Sequence, residues 1–283
     1  MTVREFLGSH RGSDVHVLPN PGNCGDGLVY LGLRQLFKEF ELRVCELFYP
    51  LPANGQLLLI QFNGNLCGQY HSAIERVGRY ARLFEELCLL PGTIDPVLPD
   101  IVDFLKRLPA NTTVFCRERR SAELMSEIVP ASCRVWTDHD LAFEANVVRW
   151  QREGNGALVA FRDDAESILP EVPPGNFDVS SLGGEWMAEL FLDVISSFEE
   201  VYTDHVHVAI AAAMLNKSTH LYKTAYHKVR AMYEFSLAAY PHVWFHETFE
   251  SIPRVETTGD PRFEIWRNLA TEMHAVRARD AFS

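Results

Sequence analysis

The sequence lacks any run of about 18 apolar residues, so we expect no helix that spans a membrane. Its six cysteines form no Cys-x-x-Cys pair, which predicts reduced, mostly buried thiols in a cytoplasmic protein. Basic residues are few: 26 Lys and Arg stand against 38 Asp and Glu, for a net charge of -12. This balance argues against a broad nucleic-acid surface, which needs clustered cations, but it leaves room for a local pocket that binds one small anion.

Short apolar runs alternate with longer amphipathic stretches, as in "DVHVLPN" followed by "GLVYLGLRQLFKEF". Near-continuous apolar strands separated by helices predict an α/β protein with mostly parallel sheets. The alternation pauses at "ANVVRWQREGNG" and restarts with "ALVAFR". We therefore predict two Rossmann-like domains that face a cleft. The N-terminal domain spans residues 1–150 and the C-terminal domain 151–283, with the last helix free to pack back on the N-terminal domain.

Two loops rich in glycine and asparagine follow predicted strands. The first, "NPGNCGDG", offers Asn23, Gly25 and Asp26, and the second, "FNGNLCGQYH", offers Asn65. Neither contains G-x-G-x-x-G, and no P-loop lysine follows the first. The asparagine and aspartate side chains either hold sugar hydroxyls or form a turn and a helix cap.

Cationic and imidazole side chains cluster after three other predicted strands. Arg117 follows "TTVFC", while His205 and His207 follow "EEVYT", where Asp204 is the predicted N-cap of the next helix. Lys228 lies in "YKTAYHKVR", the most basic stretch of the chain. Such groups beside a helix N-terminus suit a phosphate or carboxylate. The alternatives are solvated helix starts for Arg117 and Lys228 and a structural role for the histidines.

In order and spacing these segments resemble the polysaccharide pyruvyl transferase family. Asn23, Gly25 and Asp26 match its N-x-G-D turn, and Gly64 and Gly68 loosely match a glycine-rich turn. Its R-E-x-x-S motif is matched by Arg117, Glu118 and Ser121, and its Asp-x-Ala-Phe motif by Asp140, Ala142 and Phe143. Its T-D-R-x-H segment is matched by Thr203, Asp204 and His207, and its Y-x-K element by Tyr226 and Lys228. The chain departs from the family at His205, where the family has arginine.

The resemblance implies a fold like the two-domain GT-B glycosyltransferases and transfer of a pyruvyl group from phosphoenolpyruvate to a sugar of a bacterial surface glycan. Donor binding is expected from Arg117, His205 and Lys228, at the C-terminal domain and its interface with the N-terminal domain. His207 is the expected acid and Asp26 the expected base. Asn23, Gly25 and Asn65 are expected to bind the acceptor on the N-terminal side.

This reaction needs no metal and no cofactor beyond the co-substrate phosphoenolpyruvate. The expected partner is a saccharide or lipid-linked oligosaccharide, with no nucleic acid, and with peripheral contact at the inner face of a membrane as one option. Two alternatives stay open. The same fold serves nucleotide-sugar glycosyltransferases, and the His205 departure also fits a non-catalytic glycan-binding protein.

Overall fold

The structure is a computed structural model that describes residues 1–20, 22–47, 54–67, 73–255 and 260–280, with side chains up to residue 273. It is an α/β protein whose contacts divide it into two compact units. The first comprises Met1–Asn20 and Gly32–Glu144, and the second comprises Pro21–Leu31 and Ala145–Ser283. The sequence predicted a single boundary at residue 150. The observed division lies at 144, and it also transfers the short stretch 21–31 to the second unit.

A six-stranded sheet forms the centre of the first unit. Its strands are β1 (Asp14–Leu18), β2 (Arg43–Glu46), β3 (Gly55–Ile60), β5 (Phe84–Gly92), β7 (Thr112–Cys116) and β8 (Arg134–Thr137). All pairs are parallel, in the order β2-β1-β3-β5-β7-β8. The chain therefore adds strands to one side of β1 and then to the other, so a topological switch lies between β1 and β3.

Helices and two very short strands complete the first unit. The helices are α1 (Val3–Ser9), the second half of α2 (Cys24–Glu39), α3 (Ala73–Tyr80), α4 (Pro99–Leu105) and α5 (Arg119–Ile128), and the strands are β4 (Leu66–Cys67) and β6 (Ile94–Asp95). One sheet face buries alternate residues such as Leu58, Ile60 and Leu87 against Ile101 and Phe104 of α4. That burial explains the near-continuous apolar strands.

Four parallel strands form the sheet of the second unit: β9 (Ala157–Ala160), β10 (Glu200–Thr203), β11 (Ser218–Tyr222) and β12 (Val243–His246). Their spatial order follows the chain order. Right-handed crossovers in one direction place the connecting helices on one face. These helices are α6 (Ala188–Ser196), α7 (Val206–Met214) and α8 (Lys228–Phe235).

The opposite face of the second sheet carries a ladder of stacked rings. His220 lies between Tyr202 at 4.4 Å and Trp244 at 5.1 Å, and Tyr222 stacks on His246 at 4.7 Å between ring centroids. On the helical face, by contrast, Tyr233 of α8 stacks on Phe245. The last helix, α9 (Pro261–Asp280), packs Phe263 and Trp266 on aromatic side chains of the same unit.

The predicted α/β class with parallel strands is confirmed, while several element details differ from the prediction. The stretch 69–86, "QYHSAIERVGRYARLFEE", has the amphipathic spacing of one helix, but α3 ends at Tyr80 and Phe84 begins β5. The described contacts of α9 lie in the second unit, whereas the prediction allowed packing on the first. No helix in the described ranges is long and apolar enough to cross a bilayer.

Candidate functional site

The carboxyl ends of β9, β10 and β11 bring two predicted site residues, His205 and His207, together with other polar side chains in the second unit. Arg162 follows β9, Asp204 and His205 follow β10, and Thr224 follows β11. His207 lies in the first turn of α7. Parallel strands end at one edge, and ligands bind beside such edges in α/β sheets. The second unit therefore presents polar groups where a ligand is expected.

The first turn of α2 packs directly on this cluster. A methyl group on Gly25 would lie 2.8 Å from Cβ and 2.9 Å from Nδ1 of His207, and one on Gly27 would overlap the carbonyl oxygen of Glu185. Asn23 forms an antiparallel bridge with Gly184, and the Cys24 thiol donates to the Gly183 carbonyl. Two glycines thus permit a close approach that any side chain would prevent.

This packing changes where the opening loop belongs. The sequence placed Asn23, Gly25 and Asp26 in the N-terminal domain, across a cleft from His207. In the structure, residues 21–31 cluster with the second unit, and Gly25 contacts His207 within it. This contact could not be predicted, because Gly25 and His207 lie far apart in the chain and the contact depends on the absence of a side chain at Gly25.

Asn23 and Asp26 cap the helix that they begin. The Asn23 Oδ1 accepts hydrogen bonds from the backbone N–H of Gly25 at 2.9 Å and of Asp26 at 3.3 Å. In return, Asp26 Oδ2 accepts from the backbone N–H of Asn23 at 3.1 Å. This reciprocal pattern is that of a capping box. The N-x-G-D turn therefore has a structural role, and any chemical role of Asn23 or Asp26 is additional to it.

Cys24 is fully buried within this turn. Burial raises the pKa of its thiol to about 12. A thiolate is the nucleophilic form of cysteine, so Cys24 is not a nucleophile near neutral pH.

His205 is held by a carboxylate. Its Nε2 lies 3.1 Å from Oδ1 of Asp178, and burial, which opposes ionisation of Asp178, is outweighed by His205, so that the pKa of the carboxyl is lowered. His205 is also the N-cap residue of α7, where it makes no side-chain capping bond. The prediction that Asp204 caps α7 is wrong. Its Oδ1 instead accepts from the backbone N–H of Arg162 at 2.9 Å.

Lys228 lies in a buried cluster of alternating charge. Its ammonium donates to Glu166, which also pairs with Arg162, and Arg162 pairs in turn with Asp164. Burial alone would raise the pKa of Glu166, but Lys228 and Arg162 hold it below its ordinary value. These four groups carry two positive and two negative charges. The cluster is therefore locally balanced rather than basic.

Asp204 is a buried carboxyl that titrates near neutrality. It is 1% exposed, and burial raises its pKa from 3.8 to about 6. Between those two pH values the folded chain binds the proton that the unfolded chain has released. The contribution of the neutral carboxyl to the free energy of unfolding is therefore fully present below pH 3.8 and is lost as the pH rises through about 6. The cost at higher pH is on the order of 3 kcal/mol.

We expect asparagine at Asp204 to remove this cost while keeping the oxygen that accepts from Arg162. At about pH 8 the D204N variant should exceed the wild type by up to about 3 kcal/mol in free energy of unfolding, and this difference should narrow by more than half at about pH 4.5. Urea denaturation at both pH values measures it. Asp163→Asn, an exposed neighbour, is the matched control. An equal difference at both pH values would contradict a raised Asp204 pKa.

Arg117 lies in the first unit and is buried there with two partners. Its Nη1 donates to Oδ2 of Asp140 at 2.8 Å, and its Nε donates to Oγ1 of Thr93 at 2.9 Å. The rest of the R-E-x-x-S motif is also engaged. Glu118 caps α5 at the backbone N–H of Ser121, and the Ser121 hydroxyl accepts from the backbone N–H of Ile94. The motif therefore joins β7 and α5 to the neighbouring strand ends.

Asn65 also lies in the first unit, at the ends of β1 and β3. Its Nδ2 donates to Oδ1 of Asn20 at 2.7 Å. In the same loop, a methyl group on Gly64 would lie 3.8 Å from Nη2 of Arg117. Gly68, which loosely matches the family pattern, lies outside the described residues.

All three predicted donor-binding side chains have carboxylate partners: Asp140 for Arg117, Asp178 for His205 and Glu166 for Lys228. An incoming anion would share each cation with a carboxylate already in place. Arg162, Glu166 and Asp178 were not predicted as site residues from the sequence. Arg162 had a usable signal, because like Arg117 it follows a buried apolar run. Asp178 lies in an irregular segment and had none.

The described residues contain no group of three or more His, Cys, Asp or Glu side chains placed to hold a metal ion. What the second-unit cluster offers chemically is an imidazole, His207, beside a helix N-terminus and a carboxyl that exchanges its proton near pH 6. Such groups suit proton transfer to or from a bound substrate.

Comparison with known proteins supports the fold. No protein-family model and no curated protein matches the sequence. The structure is similar to the crystal structure of an uncharacterized protein from Klebsiella pneumoniae subsp. pneumoniae, with a TM-score of 0.74. The two are 23% identical, and the match covers 87% of this chain and 97% of the other. At this identity the similarity shows a shared fold alone.

Proposed function

We propose that this protein transfers a pyruvyl group from phosphoenolpyruvate to two hydroxyls of a sugar, forming a cyclic ketal on a bacterial surface glycan or its precursor. One observation carries the proposal. Gly25 of the N-x-G-D turn contacts His207 of the T-D-x-x-H segment, so two motifs of the resembled family that lie far apart in sequence meet in one unit. The GT-B-like arrangement of two domains about a cleft is part of the same proposal.

The proposed chemistry begins with proton transfer. His207 gives a proton to the methylene carbon of phosphoenolpyruvate, and a sugar hydroxyl forms a bond to the neighbouring carbon while Asp26 takes its proton. The C–O bond to phosphate then breaks, and phosphate leaves with the bonding electron pair. A second hydroxyl adds to the same carbon, gives its proton to the departing phosphate and closes the ketal. No oxidant, reductant or metal is needed for this balance.

Binding of the donor is assigned to Arg117, His205 and Lys228, together with the first turn of α7. The N-cap residue of α7, His205, makes no side-chain capping bond there, and a helix N-terminus attracts anions. The carboxylates beside the three cations fix their side-chain positions. They also weaken each cation's attraction for phosphate, so we expect modest affinity for phosphoenolpyruvate.

Release of inorganic phosphate from phosphoenolpyruvate, measured across aryl and lipid-linked glycosides, tests the proposal. Replacing His207 by glutamine is expected to lower the rate by about 10²- to 10⁴-fold, the usual contribution of a general acid. His139→Gln, an exposed histidine in the first unit, should leave it unchanged. The assignment of the acid is wrong if both variants release phosphate at the wild-type rate.

The paired cations favour a second candidate, a glycan-binding protein without donor chemistry. In that case a saccharide would stabilise the protein in a thermal shift assay and phosphoenolpyruvate would not. Stabilisation by a UDP-sugar alone would instead indicate a nucleotide-sugar glycosyltransferase. Each outcome is incompatible with the pyruvyl transfer proposed above.

A further inference from the structure

The topological switch of the first unit is lined by side-chain amides. Asn20 follows β1, and Gln61, Asn63 and Asn65 follow β3, on the two strands between which the chain reverses its direction of growth. The hydrogen bond from Asn65 to Asn20 shows that the two strand ends meet there. In open parallel sheets, the crevice at this point is where ligands bind.

Gln61 is the unusual member of this group. It is 2% exposed, and neither its Nε2 nor its Oε1 has a hydrogen-bond partner among the residues that the structure describes. Its backbone is in place, because its N–H donates to the Leu18 carbonyl at 3.0 Å. Its side chain alternates with Ile60 and Phe62, which belong to the apolar core, and so projects from the other face of the sheet.

A buried amide without partners costs folding free energy, and native proteins keep few of them. The backbone of Gln61 requires no amide side chain at this position, since its hydrogen bond uses the main chain alone. A leucine or methionine would fill the same space at no such cost. A bound molecule that completes the hydrogen bonds of Gln61 accounts for the amide.

The four side-chain amides indicate the chemistry of the ligand. An amide offers two donors and one acceptor, and the four residues carry no charge. Hydroxyl groups both donate and accept, so they satisfy such a surface, whereas an anion would use the donors only. Two charged side chains lie near these amides: Arg117 is paired with Asp140, and Arg76 of α3 donates to the carbonyl of Pro19, next to Asn20. These features fit a neutral ligand with several hydroxyls.

We propose that Gln61 is a binding residue for a sugar ring at the switch between β1 and β3. This inference deepens the proposed function and rests on it, because only the proposed reaction identifies the bound sugar as the acceptor. Binding itself is measured without phosphoenolpyruvate. Loss of phosphate release with sugar binding intact would therefore reject only the proposed reaction.

The test compares two substitutions that each remove an unpartnered buried polar group. Gln61→Met removes the amide at the carboxyl edge of the sheet. Thr112→Val removes the hydroxyl of Thr112, which is fully buried and has no partner in the described chain, at the start of β7 and thus at the amino edge. Both variants should move the midpoint of urea denaturation to higher concentration.

Only Gln61→Met should weaken binding. The probes are the methyl glycosides of glucose, galactose, mannose and N-acetylglucosamine, followed by saturation-transfer NMR. We expect at least one to bind the wild type and Thr112→Val equally, and Gln61→Met at least about tenfold more weakly. Equal binding to all three proteins, or binding of no glycoside to the wild type, would overturn the proposal.

A measurement on the wild type covers the case in which Gln61→Met does not fold. The sequence contains five glutamines, so selective ¹⁵N labelling gives five side-chain amide signals. Addition of the glycoside that binds should shift the Gln61 amide signal and leave Gln35 and Gln151 in place. An unmoved Gln61 signal at saturating glycoside would reject the contact.

Discussion

Alanine at Gly27 is expected to destabilise the protein by about 1–3 kcal/mol, although glycine-to-alanine changes inside helices usually stabilise by about 0.5–1 kcal/mol. The added methyl group would overlap the Glu185 carbonyl oxygen, which is backbone and cannot rotate away. Undocking the first turn of α2 also strains the bridge between Asn23 and Gly184. Urea denaturation measures the loss.

Alanine substitutions at two further glycines serve as comparisons for Gly27→Ala. Gly25→Ala should have a smaller effect than Gly27→Ala, because its methyl group would lie 2.8 Å from Cβ of His207, whereas that of Gly27→Ala would overlap a backbone carbonyl oxygen. It should nevertheless reduce turnover, since His207 is displaced. Gly78→Ala lies inside α3 with nothing within 4 Å of the added methyl group, so it should stabilise. Destabilisation by Gly78→Ala comparable to that of Gly27→Ala would show that packing is not the cause.

Loss of Asp140 is expected to cost about 3–5 kcal/mol, because Asp140→Asn leaves the Arg117 guanidinium buried without its countercharge. Arg117 and Asp140 are 2% and 1% exposed, respectively, so water cannot replace the missing partner. Arg117→Met should be similarly damaging. The double variant Arg117→Met/Asp140→Asn removes both charges and keeps the acceptor for the backbone N–H of Ala142. It should recover most of the stability.

Turnover of the double variant then separates two roles for Arg117. If Arg117 also binds the donor, the double variant folds and releases no phosphate from phosphoenolpyruvate. If Arg117 only joins β7 to the Asp140 loop, phosphate release returns together with stability. Recovery of activity would remove Arg117 from the donor site and leave the other assignments intact.

Much of the fold could be predicted from the sequence, because buried parallel strands are recognisable as short apolar runs. The ends of elements were harder. "YARLFEE" is amphipathic enough to extend α3, yet Phe84 begins β5, where pairing with β3 decides the conformation. Asp204 looked like an N-cap because local sequence shows only its neighbours. The backbone N–H that it accepts from belongs to Arg162, which follows β9 and lies 42 residues earlier in the chain.

The residue types of the candidate site could be predicted from the sequence, but the carboxylate that pairs with each Arg, His or Lys could not. Strand ends followed by Arg, His or Lys indicated where polar groups would gather. Which carboxylate meets each cation depends on long-range packing. Asp178 reaches His205 from an irregular segment, and Glu166 reaches both Arg162 and Lys228. The local balance of charge is therefore visible only in the structure, where the cluster around Lys228 is neutral and not basic as the sequence indicated.

The membership of residues 21–31 in the second unit makes that unit discontinuous in sequence. A piece of chain that begins at Ala145 carries α6 to α9 without the turn that fits against His207 and Glu185. A piece that ends at Glu144 carries the turn without that surface. During synthesis, the turn leaves the ribosome long before residues 183–207 exist. It must stay undocked until most of the chain has been made, so completion of the second unit is a late event in the life of the nascent polypeptide.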